Sequence, residues 1–303
     1  MELVNNQKEL ADISKYVIVA DMIPPLKLVY RKQWKTMITN NTFFREFIKS
    51  KYQNHLKTYK PEVVRDFCDC LIAAKFEAEA ENRDSVEQLN DDNLGLTLQD
   101  LFIAGTDTTR ITLGWIVLFL ANFPQIQQKC RNEIDSVVGG DDVVGHDHKS
   151  KLNYVQAFVT ETLRYRPATP MSLPHKAVVS SSIGGHSIPK DTPVHLHENA
   201  IHHDPRQWDK PEEFRPERFL DENGKHNSRV PSFVAFGIGR RACLGEKLAV
   251  TDLVLITCRL LQATRGYEIA LPGGPGSVSL AGDIDIAQGL ETVKHQIVLK
   301  TIH

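Results

Sequence analysis

The chain lacks a surplus of charge of either sign, with 36 lysines and arginines against 38 aspartates and glutamates in 303 residues. A nucleic-acid partner normally calls for a basic excess, so composition gives no support for one. C-x-x-C spacing is also missing: the five cysteines are Cys68, Cys70, Cys130, Cys243 and Cys258, an odd set. That disfavours a disulfide framework and fits a reducing, cytosol-facing compartment. Long hydrophobic runs are absent too. The most apolar stretch, residues 111–121, can reach membrane-spanning length only by drawing in Asp107 and Arg110, and it stops at Asn122-Phe123-Pro124. It reads as a buried helix. The first thirty residues show no basic start followed by an apolar run, so a secretory signal is not expected.

Hydrophobic residues make up 41% and charged residues 24%, enough for a sizeable buried core. Residues 29–59, a mixture of aromatic and basic residues, read as helix, and 61–80 carry apolar residues at helical spacing, followed by a polar segment, 81–93, expected as an exposed loop. A long helix is expected over 96–121 and another over 125–138, stopped by Gly139-Gly140. Ser150 is a candidate cap for a helix over 151–165 that halts before Pro167. Short strands are expected over 178–183 and 192–197, with a turn at Gly184-Gly185. Residues 204–230 read as an irregular meander. A glycine-rich loop at 236–245 opens a helix to about residue 262, and strands near 267–269 and 296–300 close the chain. The fold class is mainly α with small β-sheets.

The sharpest signal is Phe236-Gly237-Ile238-Gly239-Arg240-Arg241-Ala242-Cys243-Leu244-Gly245. A thiolate ligand to iron benefits from backbone N–H donors and a helix N-terminus, which stabilise the anion. Cys243 stands where the loop meets the helix. Gly237, Gly239 and Gly245 remove side chains that would block a flat macrocycle. Arg241 can pair bidentately with a carboxylate, and Phe236 can pack over the sulfur. The plainer alternative is a glycine-rich loop around a buried, inert cysteine. Inside the long helix, Ala104-Gly105-Thr106-Asp107-Thr108-Thr109 is rich in poor helix formers, as functional spots often are. Gly105 lets a ligand approach, and the Thr108 hydroxyl can compete for the carbonyl of Ala104, opening a notch. Glu161 and Arg164 stand at i, i+3 as neighbours, and an exposed ion pair is the simplest reading of that spacing.

The ten-residue loop resembles the haem-binding signature F-x-x-G-x-R-x-C-x-G of the cytochrome P450 family. Three further segments resemble it in the right order: the Ala104–Thr109 stretch, Glu161-Thr162-Leu163-Arg164, and Pro216-Glu217-Arg218-Phe219. The resemblance implies a cytochrome P450 fold, of which this chain would supply the C-terminal two-thirds as one partial domain over 1–303. Its parts would be helices over 1–95, the distal helix to the E-x-x-R helix over 96–165, and a β-rich part with meander, cysteine loop and final helix over 166–303. It implies heme b with Cys243 as the metal ligand. Phe236, Gly237, Gly239, Arg241, Gly245, Ala104 and Gly105 would stand against the cofactor, and His175 against a propionate. Asp107 and Thr108 would deliver protons on the distal side. Arg218 would join Glu161 and Arg164 in a buried structural network.

Segments such as Leu173-Pro174-His175-Lys176-Ala177 and Ala200-Ile201-His202-His203 look most similar, within that family, to animal microsomal steroid 17-alpha-hydroxylase/17,20-lyases. The implied activity is monooxygenation of an apolar, steroid-type substrate. Electrons would come from NADPH through a flavoprotein reductase, with cytochrome b5 as a further candidate donor. The full-length form would sit at the cytosolic face of the endoplasmic reticulum membrane, with its anchor outside this chain. A silent haem-binding product and a lyase or isomerase of the same fold stay open. His195, His197, His202 and His203 are expected on strands and an exposed turn, with no zinc site. The four other cysteines are expected as helix-packing thiols.

Overall fold

In the computed structural model, the described residues are 13, 16, 17, 19, 20, 23–84, 86–139, 142–285 and 289–302. The chain divides into two units, Met1–Thr106 and Asp107–His303, so the division falls within one long helix.

In the first unit, α1 (Arg31–Lys57) and α2 (Phe67–Ala80) are followed by the start of α3 (Asp91–Asn122). Asp66 caps α2, its carboxylate accepting from the amides of Cys68 at 2.9 Å and Asp69 at 3.3 Å. The small core gathers Tyr52, Cys68, Ile72 and Leu94. The Tyr52 hydroxyl donates to Asp91 at 2.8 Å, and Lys75 reaches the same carboxylate at 2.6 Å. Residues 81–93 are not one open loop. A 3-10 turn occupies Val86–Leu89, and α3 starts several residues earlier than 96. The cause is Asn90, whose side-chain oxygen accepts from the Asn93 amide at 2.9 Å, with Asp91 and Asp92 in the positively polarised first turn.

In the second unit, α3 is followed by α4 (Pro124–Val138), α5 (Asn153–Tyr165), the short α6 (Glu198–His202) and α7 (Glu246–Ala263). Pro124 opens α4, where its missing N–H costs nothing, and Gly139 ends it at φ +81°. Ser150 does not cap α5, because it lies inside a 3-10 turn at His146–Lys151. The cap comes from α4: the Glu133 carboxylate accepts from the amides of Tyr154 at 2.7 Å and Val155 at 2.9 Å. Burial of Trp115, Phe119, Phe158, Leu253, Val254 and Cys258 makes the main core.

Among the described residues the strands form four antiparallel pairs: β1 (His175–Lys176) with β4 (Pro193–Val194), β2 (Ser181–Ile183) with β3 (His186–Ile188), β5 (Tyr267–Ala270) with β8 (Val298–Thr301), and β6 (Asp283–Asp285) with β7 (Gly289–Glu291). The strand following the Gly184-Gly185 turn is therefore β3, and β4 pairs with β1. Both glycines hold positive φ, +59° and +84°, which lets a two-residue turn place Ile183 opposite His186. The meander contains a 3-10 turn at Pro216–Phe219 and is otherwise irregular. Among the described residues, no helix is long and apolar enough to cross a membrane.

Candidate functional site

The glycine-rich loop is a closed bend. The Gly237 amide donates to the Val234 carbonyl at 2.8 Å, the Ala242 amide to Gly239 at 3.2 Å, and the Cys243 amide back to Phe236 at 2.8 Å. Gly237 and Gly239 both hold φ +71°, a conformation that side-chain-bearing residues rarely adopt. A 3-10 turn at Gly239–Arg241 leads to Cys243, just ahead of Gly245, which is the N-cap of α7. The sulfur is thus presented near the positive end of a helix.

Cys243 is exposed, whereas Cys68, Cys130 and Cys258 are buried. Cys243 is therefore not the buried cysteine of the plainer alternative. Around it stand apolar side chains turned outward, with Ile238 60%, Leu244 90% and Leu248 64% exposed. A methyl group built on Gly245 would lie 3.9 Å from the sulfur, so the glycine keeps the approach to Sγ open. Arg240, Arg241 and Lys247 are all exposed, giving this face local positive charge. Phe236 is half-buried and packs against the main core, while its carbonyl holds the Cys243 amide. An accessible sulfur, a side-chain-free cradle and an apolar rim are the features a flat, hydrophobic macrocycle with carboxylate tails requires. The residues present fit such a group.

Ala104 and Gly105 are exposed on α3, and nothing lies within 4 Å of where a Gly105 side chain would start. Asp107 and Thr108 follow, half-buried. The Asp107 carboxylate is 3.6 Å from the Arg110 guanidinium. Threonine hydroxyls bond one turn back, Thr106 to the Phe102 carbonyl at 2.6 Å and Thr112 to that of Thr108 at 2.9 Å. Even so, α3 runs unbroken from Asp91 to Asn122. His175 lies exposed on β1, opposite Val194.

Glu161 and Arg164 form a fully buried pair rather than an exposed one. Arg164 donates from Nε at 2.6 Å and from Nη2 at 2.8 Å to the two carboxylate oxygens. Its remaining donors reach the carbonyls of His202 at 2.6 Å and Pro211 at 3.0 Å. The Arg215 amide donates to Glu161 at 2.8 Å, and the Arg218 guanidinium stands 3.4 Å from the same oxygen. Arg218 also donates to the carbonyls of Asp209, Lys210 and Glu213. Burial pushes the Glu161 carboxyl up, and Arg164, the Arg215 amide and Arg218 oppose it.

The sequence reading missed His202. It is fully buried in α6, not on an exposed turn. Its carbonyl receives Arg164, and its Nε2 accepts from the Val234 amide at 2.9 Å. Val234 in turn accepts from Gly237 in the cysteine loop, so one histidine links the buried ion pair to the bend. No local pattern signals this, because both partners are distant in sequence. Cys70, expected to pack, is exposed.

A thiol held out by a glycine bend at a helix start, on a mainly helical scaffold with small sheets, defines the class. The chain belongs to the cytochrome P450 family, whose family model matches residues 1–266 and so includes the upstream helices that carry no sharp motif. Among particular proteins, it is similar to the steroid 17-alpha-hydroxylase/17,20 lyase of Gallus gallus, 40% identical over 224 residues, or 72% of this chain and 43% of that protein. The enzyme of the same name from Squalus acanthias is 36% identical over 256 residues, covering 84% of this chain and 49% of the relative. That from Ictalurus punctatus is 32% identical over 285 residues, covering 93% and 54%. The chain spans about half the length of the curated relatives it matches.

Proposed function

We propose that the chain carries the thiolate and proton-delivery parts of a haem monooxygenase that inserts one oxygen atom of O2 into a steroid. The observation that supports this most strongly is the exposed Cys243 thiol on a loop whose amides and glycines are already set in place. Cys243 would hold the iron of heme b. Gly237, Gly239 and Gly245 would leave room for the ring, Phe236 would brace the loop behind the sulfur, and Ala104 and Gly105 would admit the cofactor and substrate on α3. Arg241 and His175 would pair with the propionates. When bound, a haem with a thiolate ligand supplies O2 chemistry, because the sulfur's electron density favours O–O cleavage.

Asp107 through its carboxyl group and Thr108 through its hydroxyl would relay protons to the distal side. Glu161, Arg164 and Arg218 would act structurally, by fixing the meander against α5. The exposed Arg240 and Lys247 would receive an acidic flavoprotein reductase that draws on NADPH, and cytochrome b5 would be a second donor. A steroid substrate rests on the names of the relatives. The whole enzyme would work at the cytosolic face of the endoplasmic reticulum membrane.

The test is turnover of a steroid by the haem-loaded protein with NADPH and reductase under 18O2. The expected product carries one labelled oxygen, and its formation stops without reductase. Bound haem with no turnover would point instead to a silent binding product. Turnover that ignores the reductase would point to lyase or isomerase chemistry.

A further inference from the structure

The N-terminus of α2 gathers a donor set that the proposed oxygenase chemistry does not use. His55 near the end of α1, Asp66 at the cap of α2, and Cys68 each offer a ligand atom, and these atoms all lie within 4.8 Å of one another. One Asp66 oxygen is occupied by the helix amides. The other, Oδ2, faces His55 Nε2 at 3.5 Å. In a tetrahedral zinc site with bonds of about 2.0–2.3 Å, neighbouring donor atoms stand roughly 3.3–3.7 Å apart.

The surroundings point the same way. His55 Nδ1 lies 3.4 Å from Oδ1 of Asp69. Asp69 is fully buried and is fixed by Arg65, through its amide at 2.9 Å, Nε at 2.7 Å and Nη2 at 2.6 Å. A carboxylate on the far nitrogen of a histidine sets its tautomer and aims the other nitrogen, as in metal centres. Arg65 balances the charge of Asp69, so the anionic oxygen left for a cation is that of Asp66. Side-chain exposure of 49% at Asp66 and 26% at His55 gives an entry path, while Cys68 closes the inner side. A thiol and an imidazole exclude calcium and magnesium as preferred ions and suit a borderline cation.

We propose that His55, Asp66 and Cys68 bind one zinc ion, with water in the fourth position and Asp69 orienting the imidazole. Burial and the nearby Asp66 and Asp69 carboxylates push the Cys68 thiol up to about 11. Zinc displaces that proton and offsets the negative charge that holds it. The competing arrangement is His55 held between Asp66 and Asp69, with no metal.

The test uses the purified full chain, equilibrated with zinc chloride and then desalted, with metal counted by mass spectrometry. The expected result is one zinc per chain, reduced at least tenfold in His55→Gln and in Cys68→Ser, and kept in Cys243→Ser. Zinc absent from the wild type, retained in the first two variants (an adventitious ion only), or lost in Cys243→Ser overturns the proposal. Should either substitution unfold the chain, zinc-edge X-ray absorption on the unaltered protein decides. One sulfur at about 2.3 Å with nitrogen and oxygen at about 2.0–2.2 Å supports the site; a shell without sulfur, or with several sulfurs, refutes it. Failure here leaves the assignment of Cys243 untouched.

Discussion

At Gly237 the bend tolerates no ordinary side chain for a conformational reason. A methyl group there would meet the Ala242 Cα at 3.8 Å, an ordinary contact, but the φ of +71° is unfavourable for any residue with a Cβ. Gly237→Ala should therefore destabilise by about 1–2 kcal/mol. It should also weaken retention of haem, measured as a lower melting temperature and a smaller haem-to-protein ratio than wild type. Unchanged values would mean the bend relaxes freely. This residue was legible in the sequence because glycine, arginine and cysteine stand at fixed spacing within ten positions. What the string could not show is that the Phe236 side chain turns to the core while its carbonyl holds the Cys243 amide.

At the scale of elements, the contact of α5 with the meander is organised by one carboxylate. Glu161 receives both arms of Arg164 and the amide of Arg215. Arg164→Ala leaves that charge buried without its main partner, and a loss of about 3–5 kcal/mol is expected by denaturant titration. His202→Phe keeps a ring of similar shape but strips the Val234 amide of its acceptor. We expect a loss of about 1–3 kcal/mol, together with a less ordered cysteine loop. A hydrogen-exchange measurement should find the Val234 and Gly237 amides less protected in that variant; equal protection would remove His202 from its role as a strut. Helices and their order were readable from periodicity and from Pro124 and Gly139. The i, i+3 spacing of Glu161 and Arg164 was readable too, yet it is the same for an exposed pair and a buried one. Caps from afar were not readable: Glu133 sits on a different helix from the amides it satisfies, so Ser150 was the natural but mistaken choice.

For the molecule as a whole, two buried groups of α6 pull stability in opposite directions with pH. Burial lowers the His202 imidazole to about 3, and Arg164 adds to the effect. That contributes stability present above its ordinary value of 6.5 and lost as pH falls toward 3. Burial raises the Glu198 carboxyl to about 7, with Thr169 opposing. Its contribution is present below the ordinary 4.5 and lost as pH rises through 7. Between about 4.5 and 6.5 the slopes of these two cancel, while the lowered His203 and His226 add a rise with pH and the raised Glu133 and Glu161 a fall. Relative to wild type, Glu198→Gln should gain stability as pH rises across that window. Above pH 7.5 the variant should exceed wild type by on the order of 2 kcal/mol. Melting curves from pH 4 to 8 read this, and parallel profiles would contradict it. Neither shift is visible in composition, since both arise from burial in α6.

The proposed oxygenase chemistry depends on the Cys243 sulfur being the ligand to iron. The most direct measurement is the difference spectrum of the reduced, carbon-monoxide-bound protein, for wild type, Cys243→Ser and Cys258→Ser. A thiolate-type band is expected in wild type and in Cys258→Ser, and none in Cys243→Ser. A band that survives loss of Cys243, or a wild-type chain that takes up haem without one, would contradict it.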